Sequence, residues 1–469
     1  MGEKRAHFIG IAGMGMSTTA VLLKEQGWLV SGSDTQAYPP ATTQLERHDI
    51  PYKTSYHPTN IPNEAEIIVI GKNAKLTREN NAEVQAAYAS GIRIVSFPEL
   101  LGDIAKKREA IVVAGSYGKS TVTALIAWCL SRSGVDTGWF IGAVPSGMEP
   151  AHLGTHPTFV LEGDEYPTSH EDPRPKFSHY HAHDCIVTAA SHDHVNIYKT
   201  QAEFLEPFRA LVAGLPDEGT LLLSDEPHTP ALGKDTRAQV LSYGMTDASD
   251  WYAKNISYGK KTNFDLMRGK EKVATLSTAL FGAHNVQNIV GAAAMLLEKE
   301  LVTPEEIARA VKDFKGLARR LDKKTRNSSV PAYEGFGSSR EKLQAAIQAL
   351  KARYPDKRLV VVFEPHTFSW RNKNMLYWFD DAFEGAGFVL LYKPAEQGAG
   401  THEQSTQEEM LERLSQAGIP VKPATSPDEV TDTLATEVRR GDVILLSSSG
   451  SMDGLIERIP QWLDNGFSK

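Results

Sequence analysis

Several features are scarce in this sequence, and each scarcity excludes a class of protein. Only two cysteines, Cys129 and Cys185, occur among 469 residues, which is too few for a disulfide framework. The net charge of -8 and the lack of a run of five basic residues argue against a nucleic-acid partner. The longest apolar runs have the length of a strand, and the start MGEKRAHFIG has no secretory apolar core. We therefore expect a cytoplasmic protein whose partners are neither membranes nor nucleic acids.

The remaining composition is that of a folded protein with several domains. Hydrophobic residues make up 41% and charged residues 23%, as in ordinary globular proteins. Residues 5–34 follow the order strand, glycine turn, helix, strand, and the same order starts again near residue 110, which predicts parallel sheets with right-handed crossovers. We predict an α/β protein with three domains: a Rossmann-like domain (1–106), a central P-loop domain (107–322) and a Rossmann-like C-terminal domain (323–469).

Apolar periodicity locates the elements of these sheets. Besides the helix of the first unit and one between the strands at 65–70 and 93–96, helices are predicted at residues 120–133 and 286–298. The predicted strands, besides those at either end of the first unit, are residues 65–70, 93–96, 110–114, 184–190, 358–363, 387–392 and 442–447.

The segment GSYGKST, residues 115–121, lies between a predicted strand and a predicted helix. A glycine loop in this position can surround phosphate oxygens with backbone N–H groups. Lys119 would face the outer phosphates, and the Ser120 hydroxyl is placed to bind Mg²⁺. The general spacing would require glycine at position 113, where this chain has Val113. A purely structural turn would explain Gly118, but not a lysine and two hydroxyls at a helix start.

A second glycine segment, GIAGMGMS at residues 10–17, also opens a helix after a strand. Its N–H groups and the helix dipole suit a diphosphate. Asp34 lies about as far along the chain as the ribose-binding acid of a dinucleotide site, so a dehydrogenase is an alternative for this domain. The second phosphate loop at Gly115 argues against hydride transfer and favours a nucleotide-linked substrate in front with ATP in the middle.

Eight segments in order resemble the Mur ligase family, and the resemblance extends over essentially the whole chain. They are GIAGMGMS, GSYGKST, LEGDEY, SHDHVNIY, FGAHNVQNIVGAAA, FKGLARRLD, FEPHTFSWR and SSSGSMDG. The family's phosphate loop is shortened, which accounts for Val113. The resemblance implies an ATP-dependent amide-bond ligase that requires Mg²⁺ and binds a UDP-sugar in its first domain.

The resemblance also implies roles for individual residues. The catalytic residues would be Lys119, Glu162, His194 and Arg320, with Ser120, Glu162 and His194 as metal ligands. ATP would contact Gly115, Ser116, Gly118, Lys119, Ser120, Thr121, Asn285, Asn288 and Arg320. The UDP-sugar would contact Gly13, Met14, Gly15, Met16, Ser17, Ser33, Asp34 and Asn73. Without this resemblance, His194 would be interpreted as a hydrogen-bonded loop histidine and Asn285 as a helix cap. Arg320 would be interpreted as part of a solvated basic pair.

AYPPATTQLE and GAVPSG resemble the recycling branch of the family. This branch joins the carboxylate of UDP-N-acetylmuramate, through an acyl phosphate, to the amine of L-alanyl-γ-D-glutamyl-meso-diaminopimelate. Free L-alanine is the alternative amine, and the protein would be a monomer or homodimer. Positioning and charge neutralisation would supply most of the catalysis, with closure of the third domain completing the site.

One segment departs from the family pattern. Relatives carry an Asp-Asp-aromatic-Ala-His-His-Pro stretch where this chain has EGFGSSR, residues 334–340. Ser116 and Tyr117 likewise replace a Thr-His pair. These departures sustain an alternative hypothesis, a Mur-like protein that binds nucleotides without efficient ligation. The retained Lys119, Glu162 and His194 favour the enzyme.

Overall fold

The computed structural model describes residues 3–73, 75–394 and 403–468, and its strands form three sheets that follow one another along the chain. Each sheet is mainly parallel and is covered by helices. The predicted α/β class and the three-domain architecture are confirmed. No helix in the described ranges is long and apolar enough to cross a membrane.

The first sheet is entirely parallel, in the order β3-β2-β1-β4-β5. Its strands are β1 (Arg5–Ile9), β2 (Leu29–Ser33), β3 (Tyr52–Lys53), β4 (Ile67–Ile70) and β5 (Arg93–Val95). Its helices are α1 (Met14–Glu25), α2 (Ala41–Arg47), α3 (Ala82–Ala89) and α4 (Phe97–Ala105). Helix α4 starts where the sequence dictates: Ser96 and Glu99 form a reciprocal capping box and Pro98 occupies the first turn.

The central sheet has ten strands in the order β15-β14-β13-β12-β11-β10-β6-β9-β7-β8. The strands are β6 (Glu109–Ala114), β7 (Gly138–Phe140), β8 (Ala151–His152), β9 (Thr158–Glu162), β10 (Ala182–Val187), β11 (Thr220–Ser224), β12 (Gln239–Gly244), β13 (Trp251–Ser257), β14 (Thr262–Arg268) and β15 (Glu271–Thr278). The helices are α5 (Lys119–Arg132), α6 (Gln201–Ala213), α7 (Ala283–Glu298) and α8 (Pro304–Asp313). After the exposed Glu109, strand β6 is apolar and buried on both faces, as expected for a central parallel strand.

The third sheet has the order β16-β17-β21-β18-β19-β20, with β16 antiparallel to β17. Its strands are β16 (Arg320–Lys323), β17 (Ala332–Gly335), β18 (Leu359–Phe363), β19 (Phe388–Tyr392), β20 (Val421–Ala424) and β21 (Val443–Ser447). Its helices are α9 (Arg340–Arg353), α10 (Phe368–Arg371), α11 (Gln407–Gln416), α12 (Pro427–Glu437) and α13 (Leu455–Gly466). The expected domain boundary at 322/323 falls inside β16.

The domains pack directly against one another. Leu22 of α1 and Leu101 of α4 belong to the same apolar cluster as Phe177 and Phe208 of the central domain. On the other side, the ring of Phe281 lies 5.6 Å from the ring of Tyr333 in the third domain. Burial of these aromatic groups stabilises both interfaces. Apolar contacts therefore join the central domain to both of its neighbours.

The predicted elements agree with the structure to within a few residues, but the edge of the central sheet was not predicted. Strands β13, β14 and β15 form antiparallel pairs beyond the parallel core. Several positions of β15 are exposed, and the pairing of β14 with β15 contains a register irregularity. Such an edge lacks the continuous apolar run by which buried strands are recognised.

Candidate active site

The phosphate loop follows β6 and requires glycine at two positions. Gly115 and Gly118 adopt φ values of 138° and 87°, a region that favours glycine. A Cβ at Gly118 would lie 2.8 Å from Asn288 Oδ1, and one at Gly115 would collide with Thr188 Oγ1. The loop is held by the segment that follows β10, where the Ser116 N–H donates to the Ala189 carbonyl at 3.0 Å. Backbone conformation and close packing thus fix the shape of the loop.

This loop suits a phosphate chain for two reasons. Helix α5 begins at Lys119, and its N-cap, Gly118, makes no side-chain cap bond, so the first N–H groups can bind an anion. Ser116 Oγ is buried without a hydrogen-bond partner among the described residues. A buried hydroxyl of this kind normally has a partner, which a phosphate oxygen could provide. Thr121 occupies the first turn of the same helix.

Glu165 links Lys119 to His194. Its Oε2 lies 2.6 Å from Lys119 Nζ, its Oε1 lies 3.1 Å from His194 Nε2, and the Glu165 side chain is fully buried. Burial opposes charge in all three groups, yet the attraction between Lys119 and Glu165 raises the pKa of the lysine and lowers that of the acid. Asp193, followed by Glu165, raises the pKa of His194. His194 also adopts a φ of 52°, which is unfavourable for a non-glycine residue. A buried carboxylate thus orients two of the predicted catalytic side chains.

Ser120 and Glu162 are in direct contact. Ser120 Oγ donates to Glu162 Oε1 at 2.7 Å, and Gly142 N–H donates to Glu162 Oε2 at 2.7 Å. Burial raises the pKa of Glu162, although these hydrogen bonds oppose the shift. Two hard oxygen donors at the start of α5 fit Mg²⁺. In the described ranges, no group of three or more His, Cys, Asp or Glu side chains is arranged to hold a metal ion. The predicted third ligand, His194, contacts Glu165, with its Nε2 3.1 Å from Oε1.

A cavity of about 370 Å³ lies between the first and central domains. It is lined by Gly10, Gly13, Met14, Gly15, Met16, Asp34, Tyr56, Gly71, Lys72, Asn73, Leu76, Phe97, Phe140, Gly142, Glu162, Asp164, Tyr166, Lys176 and Tyr180. Six of the eight predicted UDP-sugar residues are in this set. The exceptions are Ser17 and Ser33, whose buried hydroxyls donate to Met14 O at 3.2 Å and Glu83 Oε1 at 2.7 Å. The front glycine loop and Glu162 therefore line the same cavity.

Asp34 organises the front wall of the cavity. Its carboxylate accepts hydrogen bonds from the N–H of Ala12 at 3.0 Å and from the Tyr56 hydroxyl at 3.1 Å. Burial, followed by the charge of Asp34, raises the pKa of Tyr56 to about 12, so the phenol stays protonated and remains a donor. Asp34 thus shapes the glycine loop itself, in addition to any contact with a sugar.

Of the predicted adenine and γ-phosphate residues, Asn288 contacts the phosphate loop, whereas Asn285 and Arg320 have other partners. Asn285 donates to the Phe281 carbonyl at 2.9 Å, and Asn288 packs against Gly118. The Arg320 guanidinium lies 4.5 Å from the centroid of the Phe336 ring. Burial lowers the pKa of Arg320, while the charge of Glu162 opposes the shift. Arg320 thus packs on Phe336 and interacts electrostatically with Glu162, the carboxylate that contacts the phosphate loop.

The altered segment EGFGSSR contacts the two arginines at the boundary between the central and third domains. Glu334 is buried and accepts from Arg319 Nε at 2.7 Å, with Lys324 Nζ 3.1 Å away. Phe336 lies beneath both boundary arginines, at 5.3 Å from Arg319 and 4.5 Å from Arg320. Arg319 also donates to the Gly450 carbonyl at 2.6 Å. Arg319 therefore links the segment before β16 to the third domain. Arg320 makes no ion pair with a carboxylate among the described residues.

Sequence reasoning missed several residues of the site. Glu165 was contained in the quoted segment LEGDEY but was given no role, although Glu162, Asp164 and Glu165 together form an acidic run after a buried strand. Lys176 pairs with Asp164 at 2.5 Å, and the ring of Tyr166 lies 5.1 Å from the His194 ring. These three acidic residues within four positions at the end of β9 are the feature of the sequence that could have indicated a role for Glu165.

Comparison with known proteins gives a consistent result. Residues 5–109 match the Mur ligase family catalytic domain, and residues 113–296 match the Mur ligase middle domain. UDP-N-acetylmuramate–L-alanine ligase of Halorhodospira halophila is 30% identical, over 96% of this chain and 92% of the relative. The UDP-N-acetylmuramate–L-alanyl-γ-D-glutamyl-meso-2,6-diaminoheptandioate ligase of Haemophilus influenzae is 28% identical, over 97% and 98%.

A crystal structure of a murein peptide ligase from Psychrobacter arcticus has the same fold. The two structures superpose with a TM-score of 0.72 at 24% identity, over 99% of this chain and 100% of that one. The relatives are thus matched over nearly their full length in sequence as well as in fold. The chain belongs to the Mur ligase family, whose members are ATP-dependent ligases.

Proposed function

We propose that this protein joins the carboxylate of UDP-N-acetylmuramate to the amine of L-alanyl-γ-D-glutamyl-meso-diaminopimelate, with hydrolysis of ATP to ADP and phosphate. One observation carries the proposal: Glu162 contacts Ser120 of the phosphate loop at 2.7 Å and also lines the cavity behind the front glycine loop. A donor carboxylate in that cavity and a γ-phosphate on that loop would meet at this point.

Each group of residues in the site would have its own role in the reaction. The N–H groups at the start of α1 would hold the diphosphate of the sugar nucleotide, and those at the start of α5 would hold the phosphates of ATP. Lys119 would neutralise charge that develops on the transferred phosphate, with its ammonium oriented by Glu165. Arg320 would approach the same phosphate from the third domain. Ser120 and Glu162 would hold Mg²⁺, and His194 would complete the set on rearrangement.

Positioning explains why the reaction needs these groups rather than a strong acid or base. A carboxylate and an ammonium do not condense usefully in water because both are charged and the leaving group is poor. Transfer of the γ-phosphate to the carboxylate supplies a good leaving group. The protein's contribution is to align the carboxylate with the phosphate and to exclude water, as closely packed domain edges can do.

The domain assignment follows the same division. We propose that residues 1–106 bind the sugar nucleotide, residues 107–322 bind ATP and residues 323–469 bind the amine. ATP and nucleotide sugars are cytoplasmic, so we place the reaction in the cytoplasm, with a monomer or homodimer as the active form.

The amine is the least constrained part of the proposal because EGFGSSR replaces a histidine-rich segment. Free L-alanine is the second candidate, and the ligase of Halorhodospira halophila named for that amine is similar at 30% identity. A nucleotide-binding protein without ligation is the third. The pairing of Lys119 with Glu165 and of Ser120 with Glu162 supports an enzyme.

A product-mass screen tests the function. The protein is incubated with ATP, Mg²⁺ and UDP-N-acetylmuramate, together with the tripeptide, L-alanine or no amine. We expect a new mass equal to UDP-N-acetylmuramate plus tripeptide minus water, and stoichiometric phosphate release. Lys119→Met should abolish both signals. A product formed only with L-alanine would favour the second candidate, and ATP binding without any product would contradict the ligase.

A further inference from the structure

Two lysines face one tyrosine in the cavity between the first and central domains. Lys72 Nζ lies 5.2 Å from the centroid of the Tyr166 ring, and Lys176 Nζ lies 5.7 Å from it. Lys72 comes from the loop after β4, whereas Lys176 and Tyr166 come from the central domain. All three side chains line the cavity. The two ammonium groups thus approach the cavity from opposite domains.

The two lysines differ in their partners. Lys176 Nζ is 2.5 Å from Asp164 Oδ2 and 5.5 Å from the centroid of the Phe97 ring. The charge of Lys176 is therefore paired with a carboxylate, and its side chain also contacts an aromatic ring. Lys72 has no carboxylate within 4 Å among the described residues. Its contact with the Tyr166 ring is compatible with a cation–π interaction, which does not neutralise the charge.

The electrostatic surroundings disfavour the charge of Lys72. Burial first, and then repulsion by Lys176, lower the pKa of Lys72, and the charge of Asp164 opposes the shift only in part. Lys72 is nonetheless exposed to solvent, so its ammonium is accessible to a ligand that enters the cavity. An anion in the cavity would remove the repulsion and stabilise the charged form.

Resting on the proposed function, we infer that Lys72 is a binding residue for an oxyanion of the donor sugar nucleotide. The cavity also contains Gly13 at the N-cap of α1, so it already offers uncapped N–H groups to an anion. Glu162 at its other end adjoins the phosphate loop, and no residue of positions 115–121 lines the cavity. Lys72 therefore serves the sugar nucleotide and not ATP.

The oxyanion belongs either to the diphosphate or to the carboxylate of the donor. Both groups carry the negative charge for which Lys72 has no carboxylate partner. Both belong to a donor molecule that would extend from the front loop toward Glu162. UDP-N-acetylglucosamine has the diphosphate but no carboxylate, so a comparison of the two ligands separates the sources.

Calorimetric titration of the full-length protein tests the assignment. Lys72→Met is compared with Lys75→Met, which removes an exposed lysine three residues along the same segment that does not line the cavity. For Lys72→Met we expect the Kd of UDP-N-acetylmuramate to rise about tenfold, the effect of losing one charge-assisted hydrogen bond. Lys75→Met and the Kd of ATP should be unchanged, and Lys72→Arg should recover part of the loss.

The outcomes are distinct. A loss shared by UDP-N-acetylmuramate and UDP-N-acetylglucosamine assigns Lys72 to the diphosphate, and a loss confined to the former assigns it to the carboxylate. Equal affinities of Lys72→Met and Lys75→Met for both ligands overturn the inference and leave the proposed function intact. If the wild-type protein binds ATP but neither sugar nucleotide, the proposed function and this inference both fail.

Discussion

Glu165 shows how one buried side chain can organise a site whose other members are far apart in sequence. It lies 46 residues from Lys119 along the chain and contacts that ammonium and the His194 ring with its two oxygens. A lysine on a phosphate loop must point at the phosphates to be useful, and a long flexible side chain needs a partner to hold it. Glu165 provides that partner.

We expect Glu165→Gln to lower kcat about ten- to a hundredfold, as the loss of other orienting groups around active sites does. The amide preserves the shape but removes the charge that holds Lys119 and His194. The KM for the sugar nucleotide should stay within a factor of two to three, since Glu165 does not line its cavity. Steady-state phosphate release measures both. Glu206→Gln, on the exposed face of α6, is the control, and an unchanged kcat for Glu165→Gln would refute its role.

Glu83 is a second buried acid, with a structural role in the first domain. Its oxygens lie 2.8 Å from His7 Nε2 and accept hydrogen bonds from Ser33 Oγ at 2.7 Å, Asn60 Nδ2 at 2.9 Å and the His57 N–H at 2.8 Å. Burial would raise its pKa, but these partners outweigh burial and lower the pKa below the ordinary 4.5. The stabilisation is therefore present above pH 4.5 and is lost as the pH falls through the lower folded-state pKa.

We expect Glu83→Gln to lower the free energy of unfolding by about 2 to 3 kcal/mol at pH 7, because several buried donors lose a charged acceptor. The difference between wild type and variant should shrink as the pH falls below 4.5, because the carboxylate is then protonated in the unfolded state before it is protonated in the folded state. Urea unfolding at a series of pH values measures this difference. A gap that stays constant down to pH 3 would contradict the account.

At the scale of elements, the turn from β6 into α5 carries the most severe local constraint. Gly118 combines a left-handed φ of 87° with the approach of Asn288. Gly134, at the other end of the same helix, has a similar φ of 79° but open space where a Cβ would be. A comparison of substitutions at these two positions therefore separates the effect of backbone strain from that of steric collision.

We expect Gly118→Ala and Gly134→Ala each to cost about 1 to 2 kcal/mol of stability from the left-handed backbone. Only Gly118→Ala should also weaken ATP binding, by at least about tenfold, since the loop or Asn288 must shift. Thermal unfolding and ATP titration distinguish the two effects. Equal ATP affinities of the two variants would show that the packing of Asn288 on the loop is unimportant.

The sequence predicts the parallel core of each domain because the information is local. Strand β6 is an unbroken apolar run next to a glycine loop, and its prediction as residues 110–114 needs nothing beyond that segment. The antiparallel strands β13 to β15 depend on pairing between half-exposed segments, and that pairing is set by distant packing. Local patterns do not contain this information.

The same distinction applies to the site residues. The glycine loops were recognisable because backbone geometry dictates their composition. Ser33 illustrates the opposite case: a hydroxyl at the carboxyl end of a strand suggests a ligand contact, yet its partner is Glu83, 50 residues later. Glu165 was overlooked for the same reason, since its contacts join segments that only the folded chain brings together.

At the scale of the whole molecule, one ion pair joins the central domain to the third domain beside the active site. Lys342 Nζ on α9 lies 3.3 Å from Asp193 Oδ2, next to His194. Burial opposes the charge of Asp193, but Lys342 and His194 lower its pKa to about 2. The pair is well placed to hold the third domain against the phosphate loop.

We expect Lys342→Ala to favour a more open arrangement of the third domain and to raise the KM for the amine about three- to tenfold. Small-angle scattering of the full chain should show a larger radius of gyration. Lys422→Ala is the matched control, because it breaks a 2.8 Å pair with Glu437 that stays within the third domain. If both variants behave alike, the interdomain pair does not control closure.

The measurement that tests the central claim most directly follows oxygen from the donor carboxylate. UDP-N-acetylmuramate labelled with ¹⁸O in both carboxylate oxygens is converted with ATP, Mg²⁺ and the amine, and the released phosphate is analysed by mass. The account predicts one ¹⁸O atom in each phosphate and one in the new amide, because the carboxylate attacks the γ-phosphate and the amine then displaces phosphate. Unlabelled phosphate alongside product would contradict activation of the carboxylate by ATP at this site.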